Sequence, residues 1–152
     1  IYTSGDIIPP QYISEDAKIL RCIIGDGTEI CGEVENSIIG AGVTIKKGAV
    51  VKNSIIMKGT VIGEGAVVEK AIIAENSVIG AGAVLGIGEE KVNRYRPDVY
   101  TGGLVTIGED SIIPDGVKIG KNTAIIGKTE AADYPDGILE SGESIIKDGD
   151  EA

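Results

Sequence analysis

The side chains best suited to binding an anion are concentrated in one segment of the sequence. Residues 86–106, "GIGEEKVNRYRPDVYTGGLVT", contain Lys91, Arg94, Tyr95 and Arg96. A guanidinium group presents a planar fork of donors that matches phosphate or carboxylate. We therefore take Arg94, Arg96, Tyr95 and Lys91 as candidate residues for contact with an anionic effector or a partner chain. The alternative is a loop that protrudes from the molecule and packs on the rest of it.

Catalytic and metal-binding chemistry find little support in the sequence. There is no histidine, which removes the commonest general base and the commonest metal ligand. Cys22 and Cys31 lie nine residues apart without a CxxC spacing, so we expect free thiols, with a disulfide as the alternative. No Walker pattern and no strand–GxGxxG–helix unit is present. We assign no catalytic, cofactor-binding or metal-binding residue to this chain.

Composition and charge narrow the class of protein. The formal net charge is −10, which argues against a nucleic-acid surface because such a surface needs a basic stripe. No run of about 18 apolar residues occurs, so we expect no membrane span and a soluble, cytoplasmic protein. Phe and Trp are absent while Gly numbers 23, so the core must be built from small aliphatic side chains around many tight turns.

A repeat dominates the middle of the chain. "NSII" begins at Asn36 and again at Asn53, and "KAII" begins at Lys70, so each start follows the last by the same interval. Within each repeat the aliphatic residues are spaced by 6, 6 and 5, and a strict spacing of 6 resumes after residue 106. The residues at this first position of each hexad are Ile13, Ile19, Ile24, Ile30, Ile39, Ile45, Val51, Ile56, Ile62, Val68, Ile73, Ile79, Leu85, Ile107, Ile113, Ile119 and Ile125.

Two further positions of the hexad predict a short strand followed by a corner. The fifth position is small or branched and shares a strand face with the first, because the two are four residues apart. Its members are Thr28, Val34, Val43, Ala49, Thr60, Ala66, Ser77, Ala83, Ser111, Val117 and Thr123. In the six-residue hexads the fourth position holds Gly, Asn or Asp, which tolerate a left-handed backbone. Its members are Gly27, Gly42, Gly48, Gly59, Gly65, Asn76, Gly82, Asp110, Gly116 and Asn122, whereas Ser54 and Ala71 take this position in the shorter hexads. Every third hexad is one residue shorter and ends in an aliphatic doublet, so three corners complete one triangular coil.

The repeat therefore predicts an all-β fold, a single-stranded parallel β-helix of the hexapeptide class. We expect the β-helix to span residues 13–128, with an inserted loop at 86–106. Residues 1–12 do not fit the hexad and could serve as a cap on the first coil. Residues 129–152 are expected to be an acidic C-terminal cap or tail, since solenoids need caps on their open ends. In that tail, "GILESGESIIKDG" forms either a last hairpin or strand, or a loosely ordered segment.

Longer strings in the sequence resemble one family. They include "IYTSGDIIPPQYIS" at the start, "GEVENSII" at 32–39, "GAVVKNSIIM" at 48–57, "VVEKAII" at 67–73 and "PDVYTGGLVTIGEDSIIPDGVKIGKN" at 97–122. In this order they resemble the β-helix domain of bacterial glucose-1-phosphate adenylyltransferases. The hexapeptide acyltransferases and carbonic anhydrases rely on histidine, which this chain lacks. The left-handed winding of the β-helix is implied by the resemblance and not by the period.

The resemblance implies a regulatory and oligomerisation domain of a larger enzyme. The parent reaction converts ATP and glucose 1-phosphate to ADP-glucose and pyrophosphate, for glycogen biosynthesis. In that family the catalytic residues and the Mg²⁺ site lie in an N-terminal domain, so none is carried onto this chain. The resemblance implies that residues 1–12 are a linker from that domain. The expected partners are that catalytic domain and the other subunits of a homo- or hetero-oligomer, a tetramer by resemblance. Alternatives are the same module from another sugar-nucleotide pyrophosphorylase or a noncatalytic subunit, and a stand-alone interaction solenoid.

Overall fold

The computed structural model describes residues 12–15, 17–134 and 136–147, which form a stack of coils built from short parallel strands. Each complete coil contributes one strand to each of three sheets, so that strands adjacent in the chain lie in different sheets. Among the first eighteen strands, strands that pair always lie three places apart in the chain. This arrangement confirms the predicted all-β, left-handed parallel β-helix of the hexapeptide class.

The strands are two to four residues long, as expected for hexads that each carry a corner. Sheet A contains β1 (Tyr12–Ile13), β4 (Glu29–Ile30), β7 (Thr44–Ile45), β10 (Val61–Ile62), β13 (Val78–Ile79) and β16 (Ile112–Ile113). Sheet B contains β2 (Lys18–Leu20), β5 (Glu33–Glu35), β8 (Val50–Lys52), β11 (Val67–Glu69), β14 (Val84–Leu85), β17 (Lys118–Ile119) and β19 (Ile138–Leu139). Sheet C contains β3 (Ile23–Ile24), β6 (Ile38–Ile39), β9 (Ile55–Ile56), β12 (Ala71–Ile73), β15 (Val105–Ile107), β18 (Thr123–Ile126) and β20 (Ser144–Ile146).

The interior of the coils is filled by the aliphatic residues of the first hexad position. From Ile30 to Ile125 none of these side chains is more than 1% exposed, and no residue predicted at the fifth position is more than 3% exposed. The predicted narrow aliphatic core is therefore confirmed. The first coil differs, because within the described residues it has a neighbouring coil on one side only. Its Ile13 is 45% exposed, and Ile19 and Ile24 are partly buried.

The corners are formed by residues with a left-handed backbone. In the six-residue hexads, the Gly, Asn and Asp residues of the fourth position all have a φ angle between +55° and +78°, as the choice of these residue types predicted. At the corner between sheets B and C the left-handed residue stands one position earlier. Arg21, Asn36, Asn53 and Lys70 have φ angles of +50° to +53° there. The residue that follows, such as Ser54, then turns inward and is buried.

One coil is shorter than the repeat predicts. In sheet B, Val34 pairs with Val51, which lies one full repeat later in the chain. In sheet A, Ile30 pairs with Ile45, and these two residues are separated by two residues fewer than one repeat. The assignment of Val34 to the fifth hexad position was therefore wrong, and Val34 is a first-position residue of sheet B. The physical reason is a corner that contains only residues 31–32 and lacks the two extra residues found at the other corners between sheets A and B.

The short corner requires glycine at position 32. A Cβ atom on Gly32 would meet the carbonyl oxygen of Ala49 and would lie 3.0 Å from the carbonyl oxygen of Lys46. Both oxygens belong to the longer corner of the next coil, which passes directly over the short one. Glu33 N donates to Ala49 O at 2.8 Å, so the two corners cannot separate without losing a backbone hydrogen bond.

The chain leaves the regular coil between β14 and β15 and again after β18. Residues 86–104 contain no strand, and β15 begins at Val105, so the last two residues of the predicted loop belong to this strand. In the acidic C-terminal segment, β19 and β20 pair in parallel with β17 and β18. Of the alternatives for "GILESGESIIKDG", the structure has strands that add to the coils, and they do not form a hairpin.

A short 3-10 turn, Ala131–Asp133, lies between β18 and β19. The next residue, Tyr134, is 5% exposed and joins the aliphatic core, and its hydroxyl donates to Thr129 Oγ1 at 3.1 Å. Ile112 N of the last strand of sheet A donates to Thr129 O. This segment therefore covers the end of sheet A.

Other expectations from composition can be compared with the structure. Cys22 and Cys31 are half-buried free thiols, as expected. Over the described ranges, no helix is long and apolar enough to cross a membrane.

The short corner leads to a test of Gly32→Ala. We expect this variant to lower the free energy of unfolding by about 2–3 kcal/mol, because the added methyl group overpacks against backbone. Gly65→Ala is the control, since Gly65 has a φ of +70° but open space around its Cβ position, so only about 1–2 kcal/mol of backbone strain is expected. Urea unfolding measures both. A smaller loss for Gly32→Ala than for Gly65→Ala would contradict the corner geometry.

The buried phenol predicts a loss of stability at alkaline pH. Burial raises the pKa of Tyr134 to about 12, above the value of about 10 for a free tyrosine. The stability contributed by the neutral phenol is therefore present below pH 10 and is lost as the pH rises from about 10 to 12. We expect Tyr134→Phe to remove up to roughly 2 kcal/mol of this pH-dependent loss. Thermal melts across this pH range test it, with Tyr95→Phe, at an exposed site, expected to keep the native pH dependence.

Candidate functional site

The candidate anion-contacting side chains lie on the inserted loop, residues 86–104, which joins β14 of sheet B to β15 of sheet C. Asn93, at the centre of the loop, is 1% exposed. Its side-chain nitrogen donates to Asn122 O at 2.7 Å and to Ser144 Oγ at 3.1 Å. Its side-chain oxygen accepts from the backbone nitrogens of Tyr95 and Arg96, both at 2.8 Å. Asn93 thus fixes the backbone that carries two of the candidate residues to the later coils.

A second buried amide, Asn122, holds both arms of the inserted loop. Its side-chain oxygen accepts from Gly103 N at 2.7 Å, and its side-chain nitrogen donates to Lys91 O at 2.8 Å. Lys70 Nζ adds a contact from the preceding coil by donating to Gly102 O at 2.9 Å. Because buried amides that lose a partner are costly, these bonds favour one loop conformation.

The side chains of Arg94, Tyr95 and Arg96 lie on the solvent side of the loop. One Arg94 guanidinium nitrogen pairs with Glu143 Oε2 at 3.0 Å, and the Arg94 side chain is 79% exposed. Exposed ion pairs contribute little to stability, so we regard this one as an orienting contact. Tyr95 is 52% exposed, and Arg96 is also exposed.

Lys91 differs from the other three candidates in its position on the loop. It lines a depression of about 260 Å³ together with Tyr100 and Thr101. It also lines a shallower depression of about 190 Å³ with Lys118 and Ser141, between the loop and the last coil. Arg94 and Arg96 line neither depression. The structure therefore places all four candidates on one loop but does not bring them together around one pocket.

The charge of the inserted loop contrasts with that of the whole chain. Its three basic residues, Lys91, Arg94 and Arg96, are balanced by Glu89, Glu90 and Asp98, whereas the chain carries −10. A neutral loop on an acidic molecule offers an anion a less repulsive approach than the remaining surface.

A ladder of side chains follows the same corner below the loop. Arg21 Nε donates to Asn36 Oδ1 at 2.6 Å, Asn36 Nδ2 donates to Asn53 Oδ1 at 3.3 Å, and Asn53 Nδ2 donates to Glu69 Oε2 at 2.9 Å. These hydrogen bonds connect each coil to the next one. The last of them ends at Glu69, beside Lys70, which contacts the loop. The corner between sheets B and C is thus linked by side-chain hydrogen bonds from the first coil to the inserted loop.

The comparison with protein families agrees with this geometry. The family model described as "GlmU-like, C-terminal hexapeptide" matches residues 9–107. The chain belongs to this hexapeptide family. The match includes the coils that establish the repeat and extends through the inserted loop to the end of β15.

Relatives of this hexapeptide chain agree with the resemblance noted in its sequence. A glucose-1-phosphate adenylyltransferase of Lachnospira eligens is 67% identical over 99% of this chain and 36% of that protein. One of Thermotoga neapolitana is 51% identical over 95% of this chain and 34% of that protein. The chain therefore spans about a third of the length of the curated relatives it matches.

A solved structure resembles this hexapeptide chain in fold alone. The acetyltransferase domain of PglB from Neisseria gonorrhoeae matches with a TM-score of 0.54 and 21% identity, over 93% of this chain and 53% of that one. At this identity the likeness concerns the β-helix and carries no activity across.

Sequence reasoning missed the two amides that hold the loop of this hexapeptide chain. Asn122 was singled out for its left-handed backbone alone, which its φ of +55° confirms. Its side chain gave no signal, because its partners lie 19 and 31 residues away. Asn93 had no repeat position at all, so a buried role could not be recognised beside two exposed arginines.

The anchor at Asn93 can be tested directly. Asn93→Ala leaves Asn122 O and two loop nitrogens without partners, so we expect a loss of about 1–3 kcal/mol in unfolding free energy. We also expect faster tryptic cleavage after Arg94, followed by mass spectrometry; the bond after Arg96 is not informative, because Pro97 follows it and blocks trypsin. Val92→Ala, at a 73% exposed neighbour, is the control and should change neither quantity. Native cleavage rates in Asn93→Ala would mean that the loop does not depend on this amide.

Proposed function

We propose that this chain is the regulatory and oligomerisation domain of a glucose-1-phosphate adenylyltransferase. The observation that carries the proposal is the 67% identity, over 99% of this chain, to a protein of that name. The parent protein would convert ATP and glucose 1-phosphate to ADP-glucose and pyrophosphate, as a cytoplasmic enzyme of glycogen biosynthesis. The alternative parent is another sugar-nucleotide pyrophosphorylase or a noncatalytic subunit.

The chemistry of the parent reaction belongs, in this proposal, to an N-terminal catalytic domain. About two thirds of the length of the relatives lies outside the matched region, which leaves room for such a domain. We assign the Mg²⁺ of the reaction to that domain. In the part of the chain that the structure describes, no group of three or more His, Cys, Asp or Glu is placed to hold a metal ion.

The inserted loop is the proposed contact for an anionic effector or a neighbouring subunit. Arg96 presents an exposed guanidinium group on a backbone fixed by the buried Asn93. Arg94 can add a second guanidinium group if an anion competes with Glu143 for it, since that ion pair is exposed and weak. A rigid backbone carrying two exposed arginines is suited to bind phosphate or carboxylate with little loss of conformational entropy.

Assembly is the second proposed role. We propose that the parent forms a tetramer in which the β-helix contributes contacts between subunits. The β-helix supports this role because its strands form a regular surface whose outward residues do not disturb the core. Sedimentation equilibrium of the parent protein measures the assembly.

The first test is pyrophosphate release by the parent protein, which is the longer protein that contains this chain. It is assayed with glucose 1-phosphate and each nucleoside triphosphate in turn. Strong preference for ATP supports the adenylyltransferase. Preference for another nucleotide would move the chain to a sister pyrophosphorylase. Absence of turnover with every nucleotide would point to a noncatalytic subunit or a scaffold.

The role of the loop predicts the effect of Arg96→Ala and Arg94→Ala. In the longer protein we expect the half-saturating concentration of an activating or inhibiting anion to rise about 10- to 100-fold, because one charge-assisted contact is worth about 1.5–3 kcal/mol. The probes are inorganic phosphate, a sugar bisphosphate and a 2-oxo acid, with turnover without an effector as the baseline.

A matched control for the arginine variants exists in the first coil. Arg21 also pairs with a glutamate, the half-buried Glu35, at 3.1 Å, but lies far from the loop. Arg21→Ala should leave the response to every probe unchanged. If the loop variants alter neither the anion response nor the assembly, the proposed role of the loop is wrong, whatever the nucleotide preference of the parent.

A further inference from the structure

The outward face of sheet C carries an uninterrupted column of aliphatic side chains in the early coils. We define the isoleucine column as Ile23, Ile38, Ile55 and Ile72, which pair in register from β3 to β12. Ile23 is 68% exposed, Ile38 46% and Ile55 38%, and Ile72 is half-buried. Soluble monomers rarely place several large aliphatic side chains side by side in solvent, so such a surface needs an explanation.

In the early coils, charged and polar side chains interrupt the outward faces of the other two sheets, and the aliphatic run of sheet A, Val61, Val78 and Ile112, begins only at β10. Outward positions of sheet A include Glu29 and Thr44, and those of sheet B include Lys18 and Glu33. The whole chain carries −10, yet no member of the outward column of sheet C is charged. The aliphatic doublet of the repeat requires only its second residue in the core, so the outward isoleucine is not needed for the coil itself.

The later part of the same face is already covered by this chain. Beyond Ile72 the column continues with Thr106, Ala124 and Ser144, and Ala124 is 0% exposed. Asn93 of the inserted loop donates to Ser144 Oγ at 3.1 Å, so the loop reaches this part of the face. The outward side chains of sheet C are therefore small or polar where the chain covers this face, and they are isoleucines where it does not.

We propose that the isoleucine column is the docking surface for the domain that precedes this chain in the longer protein. The inference rests on the proposed function, because it needs a parent with such a domain. Exposure along the column is greatest at Ile23, in the first coil, to which Tyr12 and Ile13 also belong. A domain joined before Tyr12 reaches that end of the column first.

The size of the column favours a tethered domain over a second copy of the chain. Four strands at about 4.8 Å spacing span roughly 14 Å. A large aromatic side chain buries about 150–250 Å², and isoleucine is smaller. Because three of the four isoleucines are less than half exposed, together they supply less than about 400 Å² of surface. Free proteins need about 800 Å² per partner for a stable complex. A domain held by a short linker has a millimolar effective concentration and can dock on the smaller surface.

The proposal can be tested by the reactivity of single cysteines. In a background with Cys22→Ala and Cys31→Ala, Ile38→Cys reports on the column and Ile112→Cys reports on the outward face of sheet A. Ile38 and Ile112 are matched in exposure, at 46% and 47%. Ile55→Cys and Val78→Cys, at 38% and 40% exposure, form a second matched pair if either variant of the first pair fails to fold. Each is labelled with a maleimide in the 152-residue chain and in the longer protein.

We expect the two sites to react at equal rates in the isolated chain. In the longer protein we expect the column site to react at least about tenfold more slowly than the sheet A site, as a docked state favoured by about 10 to 1 requires. Equal rates in the longer protein would overturn the proposal. Slow labelling of the column site in the isolated chain would also overturn the proposal. If the protection depends on protein concentration, the occupant would be a second copy of the chain. If it does not, the occupant would be the chain's own residues 1–11.

These outcomes are distinguishable from a failure of the proposed function. An active adenylyltransferase with an unprotected column would refute the docking surface alone. A protected column in a longer protein that shows no turnover would refute the proposed reaction and keep the docking surface.

Discussion

Every coil of this molecule is held to the next by backbone hydrogen bonds that keep the parallel strands in a single register. Thr44 N donates to Thr60 O and Val61 N donates to Ser77 O, each at 3.0 Å and each reaching the coil that follows. Because side chains alternate between the two faces of a strand, a slip of one residue would turn an aliphatic side chain out of the core. All observed departures from the regular coil, including the short corner at residues 31–32, accordingly lie at corners and leave the strands in register.

The corners between sheets C and A and between sheets B and C add a second set of contacts between coils, made by buried hydroxyl groups. Ser54 N donates to Ser37 Oγ and Ala71 N donates to Ser54 Oγ, both at 3.1 Å. Thr60 Oγ1 accepts from Ser77 N in the same way at another corner. Within the described residues, no buried side-chain nitrogen or oxygen lacks a partner. Small hydroxyl residues at inward corner positions therefore satisfy backbone groups where the strand pairing is interrupted, at the cost of very little volume in a narrow core.

The sequence revealed the fold to the extent that a residue's role depends on its place in the repeat. Ile62 is buried because of its spacing from Ile56, and this relation can be read without any structure. Val34 was misassigned because two missing corner residues shift the register without changing the pattern of residue types. Asn93 could not be recognised at all, since its partners at Asn122 and Ser144 come from coils far along the chain. Local spacing predicts the coils, whereas contacts made by an insertion depend on the folded molecule.

The regularity that makes the fold predictable also limits where function can reside. First-position and fifth-position side chains are committed to the core, and fourth-position residues are committed to the left-handed corners. An insertion is tolerated at the corner between sheets B and C because Leu85 and Val105 stay in register with their neighbours on either side. Specific recognition is then left to outward residues and to the inserted loop, and the isoleucine column and the anchored arginines occupy those two kinds of position. The β-helix supplies a rigid frame between them, so a domain docked on the early coils and a ligand on the loop would be held at a fixed distance.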